Sequence, residues 1–230
     1  MKSTILKSQI TLRHFGHLMK KLFIIMNVLF LLLPVFVAAA ENFNRKPYKD
    51  EIIRAEKYLS EFKTLVSEFS QINPEGKSTS KGIIKISRPG KARFEYTSPE
   101  QIVMVINKDK MFYWDKTLEQ ITFADVPSTI FSVLMDNDIK FSGKINLLNI
   151  IDKESEITFV LEPAKIDEYT GNEYLSLSFA KKPFELKKIT RIDSNNAITA
   201  MNLSGLQFGN DLDDSLFILN NPIPFNRKKR

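Results

Sequence analysis

The stretch of sequence that decides the fold is SKGIIKISRPGKARFEY, residues 80–96. Its first half places four residues on one face of a strand: Gly82, Ile84, Ile86 and Arg88. Pro89 and Gly90 then supply turn chemistry, since proline fixes φ at the corner and glycine accepts unusual backbone angles. The second half alternates again, and one face carries Ala92, Phe94 and Tyr96. A period of two on both sides of a short turn predicts an antiparallel β-hairpin.

Strand patterns continue along the chain after this hairpin. Alternating or apolar runs predict further strands over 101–106, 110–115, 118–123, 145–151, 156–162, 173–180, 186–193 and 197–208. Turn-forming residues separate most of these runs, so the simplest topology is a meander of consecutive hairpins. We therefore predict a mainly β (α+β) fold, in which a large antiparallel sheet forms a single domain.

Two helices are predicted to cover the sheet. Apolar residues at three- and four-residue steps over 48–70 indicate an amphipathic helix. Pro127, followed by apolar residues up to Met135, indicates a short second helix. The last ordered piece is expected at about 215–219. Two helices are short for so large a sheet, so the sheet either curls around its own side chains or encloses something else.

The N-terminal segment reads as a targeting sequence. Lys20 and Lys21 precede an apolar run over 22–36, and small residues end it at Ala38-Ala39-Ala40. This pattern predicts a secretory signal peptide at about 19–40, cleaved after Ala40. The alternative is an uncleaved membrane anchor, because the segment approaches the ~20 residues that span a bilayer. We expect a presequence over 1–40, one domain over 41–226 and a basic tail over 227–230.

Charge and composition exclude several classes of function. The net charge of +6 comes from the two ends, because residues 41–226 hold 24 basic and 27 acidic residues. The predicted domain therefore lacks the dense positive field that binds nucleic acid. Both histidines precede residue 40 and there is no cysteine, which excludes His- or Cys-ligated metals and His-dependent triads from the domain. We expect a protein that is not an enzyme and holds no metal or other cofactor.

Several short motifs occur in a fixed order across residues 48–222. They are Phe69-x-Gln71, the strand from Gly82, the Arg88-Pro89 turn, Phe94-x-Tyr96, Pro99, residues 174–179 with Pro183 and Leu186, and residues 202–208 with Leu212 and Phe217. This ordered set resembles the LolA-type periplasmic carriers of outer-membrane lipoproteins. The chain departs from the family pattern at Ala92, where a large apolar residue is usual. It departs again at residues 107–109, where Asp-Gly is usual.

The resemblance implies a strongly curved antiparallel half-barrel with a helical lid over an apolar cavity. It implies that Arg88 is a latch that holds the lid shut. The cavity that takes acyl chains is expected to be lined by Ile84, Ile86, Phe94, Tyr96, Trp114, Leu59 and Phe62. Which face of the strands over 101–115 lines the cavity is left open.

The resemblance also implies a function. The protein is expected to be a soluble, monomeric periplasmic chaperone that carries acylated lipoproteins from the inner to the outer membrane. Its expected partners are these lipoproteins and the inner-membrane lipoprotein-releasing ABC transporter complex, while an outer-membrane receptor is left open. The alternative is a lipid- or peptide-sensing envelope-stress module on the same fold. A carrier is physically reasonable, because each exposed acyl methylene costs about 0.8 kcal/mol in water.

Overall fold

Eleven antiparallel strands form one sheet in the computed structural model, which describes residues 44–72, 79–125, 134–165 and 173–218. The strands are β1 (Thr64–Ile72), β2 (Thr79–Ser87), β3 (Lys91–Ser98), β4 (Ile102–Asn107), β5 (Lys110–Asp115), β6 (Gln120–Asp125), β7 (Ile145–Asp152), β8 (Glu156–Pro163), β9 (Tyr174–Lys181), β10 (Phe184–Ile192) and β11 (Ile198–Phe208). The predicted presequence and basic tail lie outside the described residues. Among the described residues, no helix is both long and apolar enough to cross a membrane.

The sheet is an open meander whose first strand joins its two halves. Its order is β6-β5-β4-β3-β2-β1-β11-β10-β9-β8-β7, so β1 pairs with both β2 and β11. Strands β6 and β7 form the two edges of this open, curved sheet. In the hairpin that decides the fold, Ile84 pairs with Phe94 and Ile86 with Ala92. The antiparallel fold class predicted from the sequence is confirmed.

The long first helix predicted over 48–70 is wrong in its second half. A 3₁₀ turn, Lys46–Tyr48, leads into α1 (Lys49–Glu61), and the chain is already extended at Phe62 (φ −91°, ψ 138°). The residues after it form β1, in which Leu65, Ser67 and Phe69 are buried on alternate positions. Apolar residues at 62, 65 and 69 match a helical stripe, but the same segment also satisfies a strand when it pairs on both sides.

Helix α1 and residues 134–141 lie together against one face of the sheet, and we call them the cover. The Ser60 hydroxyl donates to the carbonyl of Ile139 (3.4 Å) and accepts from its N–H (3.1 Å). The N–H of Phe141 donates to the Glu56 carboxylate at 2.7 Å. Of the second helix predicted over 127–135, only Leu134 and Met135 are described, in a 3₁₀ turn; residues 127–133 lie outside the described part.

The opposite face of the sheet carries a separate apolar cluster near the C-terminal segment. A 3₁₀ helix, Asp214–Phe217, begins where the Asp213 carboxylate accepts from the N–H of Ser215. Its completely buried Phe217 packs against Val103, Val105 and Phe112 on β4 and β5. The described sheet therefore has two covered faces, one under the cover and one under this short C-terminal piece.

Candidate functional site

Arg88 is a buried arginine that joins the sheet to the cover. Its side chain is 8% exposed and ends among backbone carbonyls. The Nε and Nη2 atoms donate to the carbonyl of Leu134 at 3.0 and 2.7 Å. The Nη1 atom donates to the carbonyls of Leu59 and, at 3.3 Å, Phe62. One guanidinium thus fastens residue 134, at one end of the cover, and the C-terminal end of α1 to the same point of the sheet.

The β2–β3 turn positions this arginine. The N–H of Arg88 donates to the carbonyl of Lys63 at 2.9 Å, and the N–H of Gly90 donates to the carbonyl of Met135 at 3.0 Å. Gly90 has φ +76°, a left-handed conformation that favours glycine. Main-chain bonds therefore hold the turn both to the residue that precedes β1 and, through Met135, to the cover before any side chain is considered.

Burial acts on the charge of Arg88 but leaves it cationic at neutral pH. Burial lowers the pKa of Arg88 to about 10, and nearby Asp136 opposes this shift. The guanidinium carbon lies 3.7 Å from the centre of the Phe62 ring, where a cation and an aromatic face attract each other. The charge is stabilised by carbonyl dipoles and this ring, together with the more distant Asp136 carboxylate.

The sheet face beside Arg88 is apolar and completely covered. Five of the residues predicted for the cavity lie here, exposed by 9% or less: Ile84, Ile86, Phe94, Leu59 and Phe62. Cross-strand register brings the sheet residues together, and α1 supplies Leu59 from above. Ala92, the departure from the family pattern, is completely buried on the same face. The space that a larger residue would fill is therefore closed by neighbouring side chains.

Tyr96 marks a polar end of this face, away from Arg88. Its hydroxyl donates to the Gln71 side-chain oxygen at 2.9 Å, and its ring meets that of Phe69 edge-on at 5.1 Å. Burial, with smaller effects from Tyr113 and Glu100, raises the pKa of Tyr96 to about 12. Tyr96 therefore shares the face with Phe94 but ends it with a hydrogen-bonded hydroxyl.

Trp114 does not lie with the other predicted cavity residues, and its assignment is corrected. Phe94 pairs with Met104, and Met104 pairs with Tyr113, so Met104 and Tyr113 share the covered face with Phe94. Trp114 has the other parity and packs against the C-terminal cluster on the opposite face. Its indole N–H is buried and has no hydrogen-bond partner among the described residues. Strand pairing decides which face of the sheet Trp114 occupies, and no local sequence pattern sets that pairing.

The structure adds residues that sequence reasoning did not single out. The other half of the covered face is lined by fully buried side chains from β8 and β9: Ile157, Phe159, Leu161, Leu175, Leu177 and Phe179. Their alternation was visible in the sequence but is equally typical of an ordinary core. Phe179 meets Tyr58 of α1 edge-on at 5.5 Å, so the cover spans both halves of the sheet.

A cleft opens to the surface where α1 ends. Its volume is about 520 Å³ and its lining residues are Tyr58, Glu61, Phe62, Lys63, Phe208 and Gly209. Phe208 is 43% exposed, and its ring lies 5.2 Å from that of Phe62 and 5.7 Å from that of Tyr58. Within the described part of the chain, no three His, Cys, Asp or Glu residues group closely enough to hold a metal ion.

Solved structures of other proteins include two that are similar to this chain at low sequence identity. The chain is similar to the LolA superfamily protein NE2245 from Nitrosomonas europaea, with 12% identity and a TM-score of 0.41 over 74% of this chain and 96% of that one. It is also similar to an uncharacterized conserved protein from Thermus thermophilus, with 10% identity and a TM-score of 0.44 over 74% and 92% of the two chains.

Sequence relatives cover most of the chain. It is 26% identical over 207 residues to the outer-membrane lipoprotein carrier protein of Pseudoalteromonas translucida, covering 86% of this chain and 92% of the relative. It is 21% identical over 212 residues to the uncharacterized protein RP864 of Rickettsia prowazekii, covering 92% and 93%. The family model described as outer membrane lipoprotein carrier protein LolA matches residues 60–220. The chain therefore belongs to the LolA family of outer membrane lipoprotein carrier proteins.

Proposed function

We propose that this protein carries acylated lipoproteins through the periplasm from the inner to the outer membrane, with the acyl chains held against the covered face of its sheet. The observation that carries the proposal is that a large apolar face and the polar contacts that fasten its cover meet at Arg88. An extensive apolar face lies under a cover that one guanidinium ties down through three backbone carbonyls. Such a face is suited to bind acyl chains, and hydrogen bonds to water can replace those between Arg88 and the carbonyls when the cover opens.

Opening requires the cover to leave the sheet while the sheet itself stays intact. The sheet has its own hydrogen-bond ladder, and the cover has separate bonds that join α1 to residues 134–141. When the cover moves, water can solvate Arg88 and its carbonyl partners, so breaking their hydrogen bonds costs only a few kcal/mol. The apolar residues beneath would be exposed, and bound acyl chains would cover them again.

Transfer in this proposal needs no chemistry from the carrier. Acyl chains replace the cover on the sheet face. The free energy of cargo binding is therefore the gain from apolar contact with the acyl chains, less the apolar contact with the cover and the hydrogen bonds of Arg88 that are lost. A modest net affinity lets a tighter-binding acceptor take the cargo. The proposed donor is the inner-membrane lipoprotein-releasing ABC transporter complex, and the predicted signal peptide supports a periplasmic site of action.

The test uses spheroplasts that hold a newly made, acylated lipoprotein in an inner membrane with active release machinery. Protein purified from the periplasm after export is added, and the supernatant is examined for a 1:1 complex. We expect the acylated lipoprotein to appear with the carrier, whereas an unacylated form of the same lipoprotein forms no complex. Trp114→Phe, which changes the opposite face, is the matched control and should release cargo as the native chain does. Absence of cargo from the supernatant despite active release machinery would reject the carrier role.

A further inference from the structure

We propose that the cleft at the C-terminal end of α1 is the first binding site for an acyl chain, and that Phe62 couples its occupation to release of Arg88. This inference rests on the proposed carrier function and assigns a port of entry to it. The occupant is one acyl chain of the cargo, inserted lengthwise between α1 and the end of β11.

The dimensions and lining of the cleft favour a small apolar ligand. Its volume of about 520 Å³ lies within the 300–1,000 Å³ typical of small-molecule sites, which are concave and mainly apolar. Three aromatic rings, those of Tyr58, Phe62 and Phe208, form the apolar part of its walls, and two charged residues and a glycine line the rest. Phe208 is 43% exposed, so an apolar surface is already offered to solvent before the cover moves. A protein partner would instead need a broad surface.

The cleft is separated from the covered face by two side chains, Tyr58 on α1 and Phe62 directly after it. Tyr58 contacts Phe208 on the cleft side and the completely buried Phe179 on the inner side. Phe62 contacts Phe208 on the cleft side and the Arg88 guanidinium on the inner side. A chain that displaces Tyr58 therefore passes onto the apolar face at Phe179, whereas one that displaces Phe62 meets the Arg88 guanidinium.

Phe62 gives the coupling a physical route. Its ring lies under the Arg88 guanidinium at 3.7 Å, and its own carbonyl accepts from Arg88 Nη1 at 3.3 Å. Phe62 lies outside the helix in extended backbone, directly after Glu61. A ligand that turns the Phe62 ring away from Phe208 therefore disturbs the ring contact with Arg88, and it disturbs the carbonyl contact as well when the backbone at Phe62 moves with the ring.

The single tryptophan of the chain allows a direct test. In the native protein, Trp114 lies on the face opposite the cover and serves as the reference. A second protein carries Phe208→Trp together with Trp114→Phe, so that its one indole lines the cleft. Both are titrated with 11-bromoundecanoate, whose bromine quenches indole fluorescence on contact. We expect saturable quenching of the indole at position 208 and none of Trp114.

Amide exchange at Gly90 reports the coupled step, because its N–H is bonded to the carbonyl of Met135 in the cover. In the native protein, saturating bromoundecanoate should raise this exchange rate about fivefold or more, the range of typical coupling between sites. Phe208→Asp should abolish the response. Phe123→Asp, which alters an even more exposed phenylalanine on edge strand β6, should leave the response intact.

The outcomes separate this inference from the carrier function. Equal quenching at both tryptophans, or quenching at position 208 with no change at Gly90, would overturn it. So would unchanged lipoprotein release by Phe208→Asp when the native chain is active, and the carrier function would then stand. Failure of release by the native chain would reject the carrier function and, with it, the cargo as the source of the acyl chain, while quenching at position 208 would still show that the cleft binds an acyl chain. Competition by acylated but not unacylated lipoprotein would identify the cargo as the source of the chain.

Discussion

Replacing Arg88 by leucine should free the cover while leaving the sheet folded. Leucine fits an apolar environment but cannot donate to the carbonyls of Leu59, Phe62 and Leu134, which the arginine joins. The sheet should persist because none of its ladder bonds uses this side chain. The expected result is a large rise in cover opening in a protein whose sheet remains folded.

The size of the effect follows from the contacts. Each hydrogen bond from a charged donor contributes about 1.5–3 kcal/mol net, and the ring contact with Phe62 adds roughly 0.5–2 kcal/mol. Burying the guanidinium opposes these gains, as the lowered pKa of Arg88 indicates. Leucine also recovers some apolar burial. A net shift of about 3 kcal/mol toward the open form corresponds to roughly a hundredfold rise in the opening equilibrium.

Hydrogen exchange measures this shift residue by residue. The amide of Gly90 joins the sheet to the cover through the carbonyl of Met135 and should exchange about a hundredfold faster in Arg88→Leu. Arg93→Leu is the matched control, because Arg93 also donates to a distant carbonyl, that of Leu216, but does so on the opposite face of the sheet. Unchanged exchange at Gly90 in a folded Arg88→Leu protein would refute the role of the arginine as a latch.

Three further substitutions test other contacts. Ser60→Ala removes two hydrogen bonds between α1 and Ile139 and should lower the free energy of unfolding by about 1 kcal/mol, seen as a lower urea midpoint and as roughly fivefold faster exchange at the Ile139 amide. Gly82→Ala would place a Cβ against the backbone carbonyl oxygen of Glu95 and 2.7 Å from the Phe69 ring, so the free energy of unfolding should fall by about 2 kcal/mol in urea titrations. Because the pKa of Tyr96 is raised to about 12 from about 10 in the unfolded chain, its contribution to stability is complete below pH 10 and is lost as the pH rises through 12. Tyr96→Phe, which also loses the bond to Gln71, should therefore show a smaller fall in urea midpoint between pH 9 and 11 than the native chain; an equal fall would contradict the reasoning.

The sheet was largely predictable because period-two alternation is a local signal. The hairpin over 80–96 and the strands that follow it are close to the predicted positions. The boundary between α1 and β1 was not predictable in the same way. Apolar residues at 62, 65 and 69 fit a helical stripe, and only pairing of β1 with β2 and β11 makes the strand more favourable. Such pairing depends on segments far away in the chain.

The candidate site shows the same division between local and distant information. Alternation with Ile86 placed Arg88 on the apolar face, and the structure has it there. The three carbonyls that it contacts come from α1, from Phe62 directly after it and from residue 134, so no local pattern could identify them. Trp114 was misplaced for a related reason. Parity within β5 was readable, but the face that meets the cover is set by the register of Phe94 with Met104.

The way the cover is fastened explains how a carrier could both bind and release without an energy source. Acyl chains gain about 0.8 kcal/mol for each buried methylene, so an uncovered apolar groove would hold cargo too tightly to transfer it. A cover that already occupies the groove removes most of that gain, because cargo replaces one apolar contact by another. The remaining difference includes the carbonyl contacts of Arg88, which only the closed form makes. It follows that weakening the closed form by a given factor should raise cargo affinity by up to the same factor and slow delivery. Arg88→Leu should thus bind lipoprotein more tightly and transfer it less readily, whereas faster delivery by that variant would show that closure does not limit affinity.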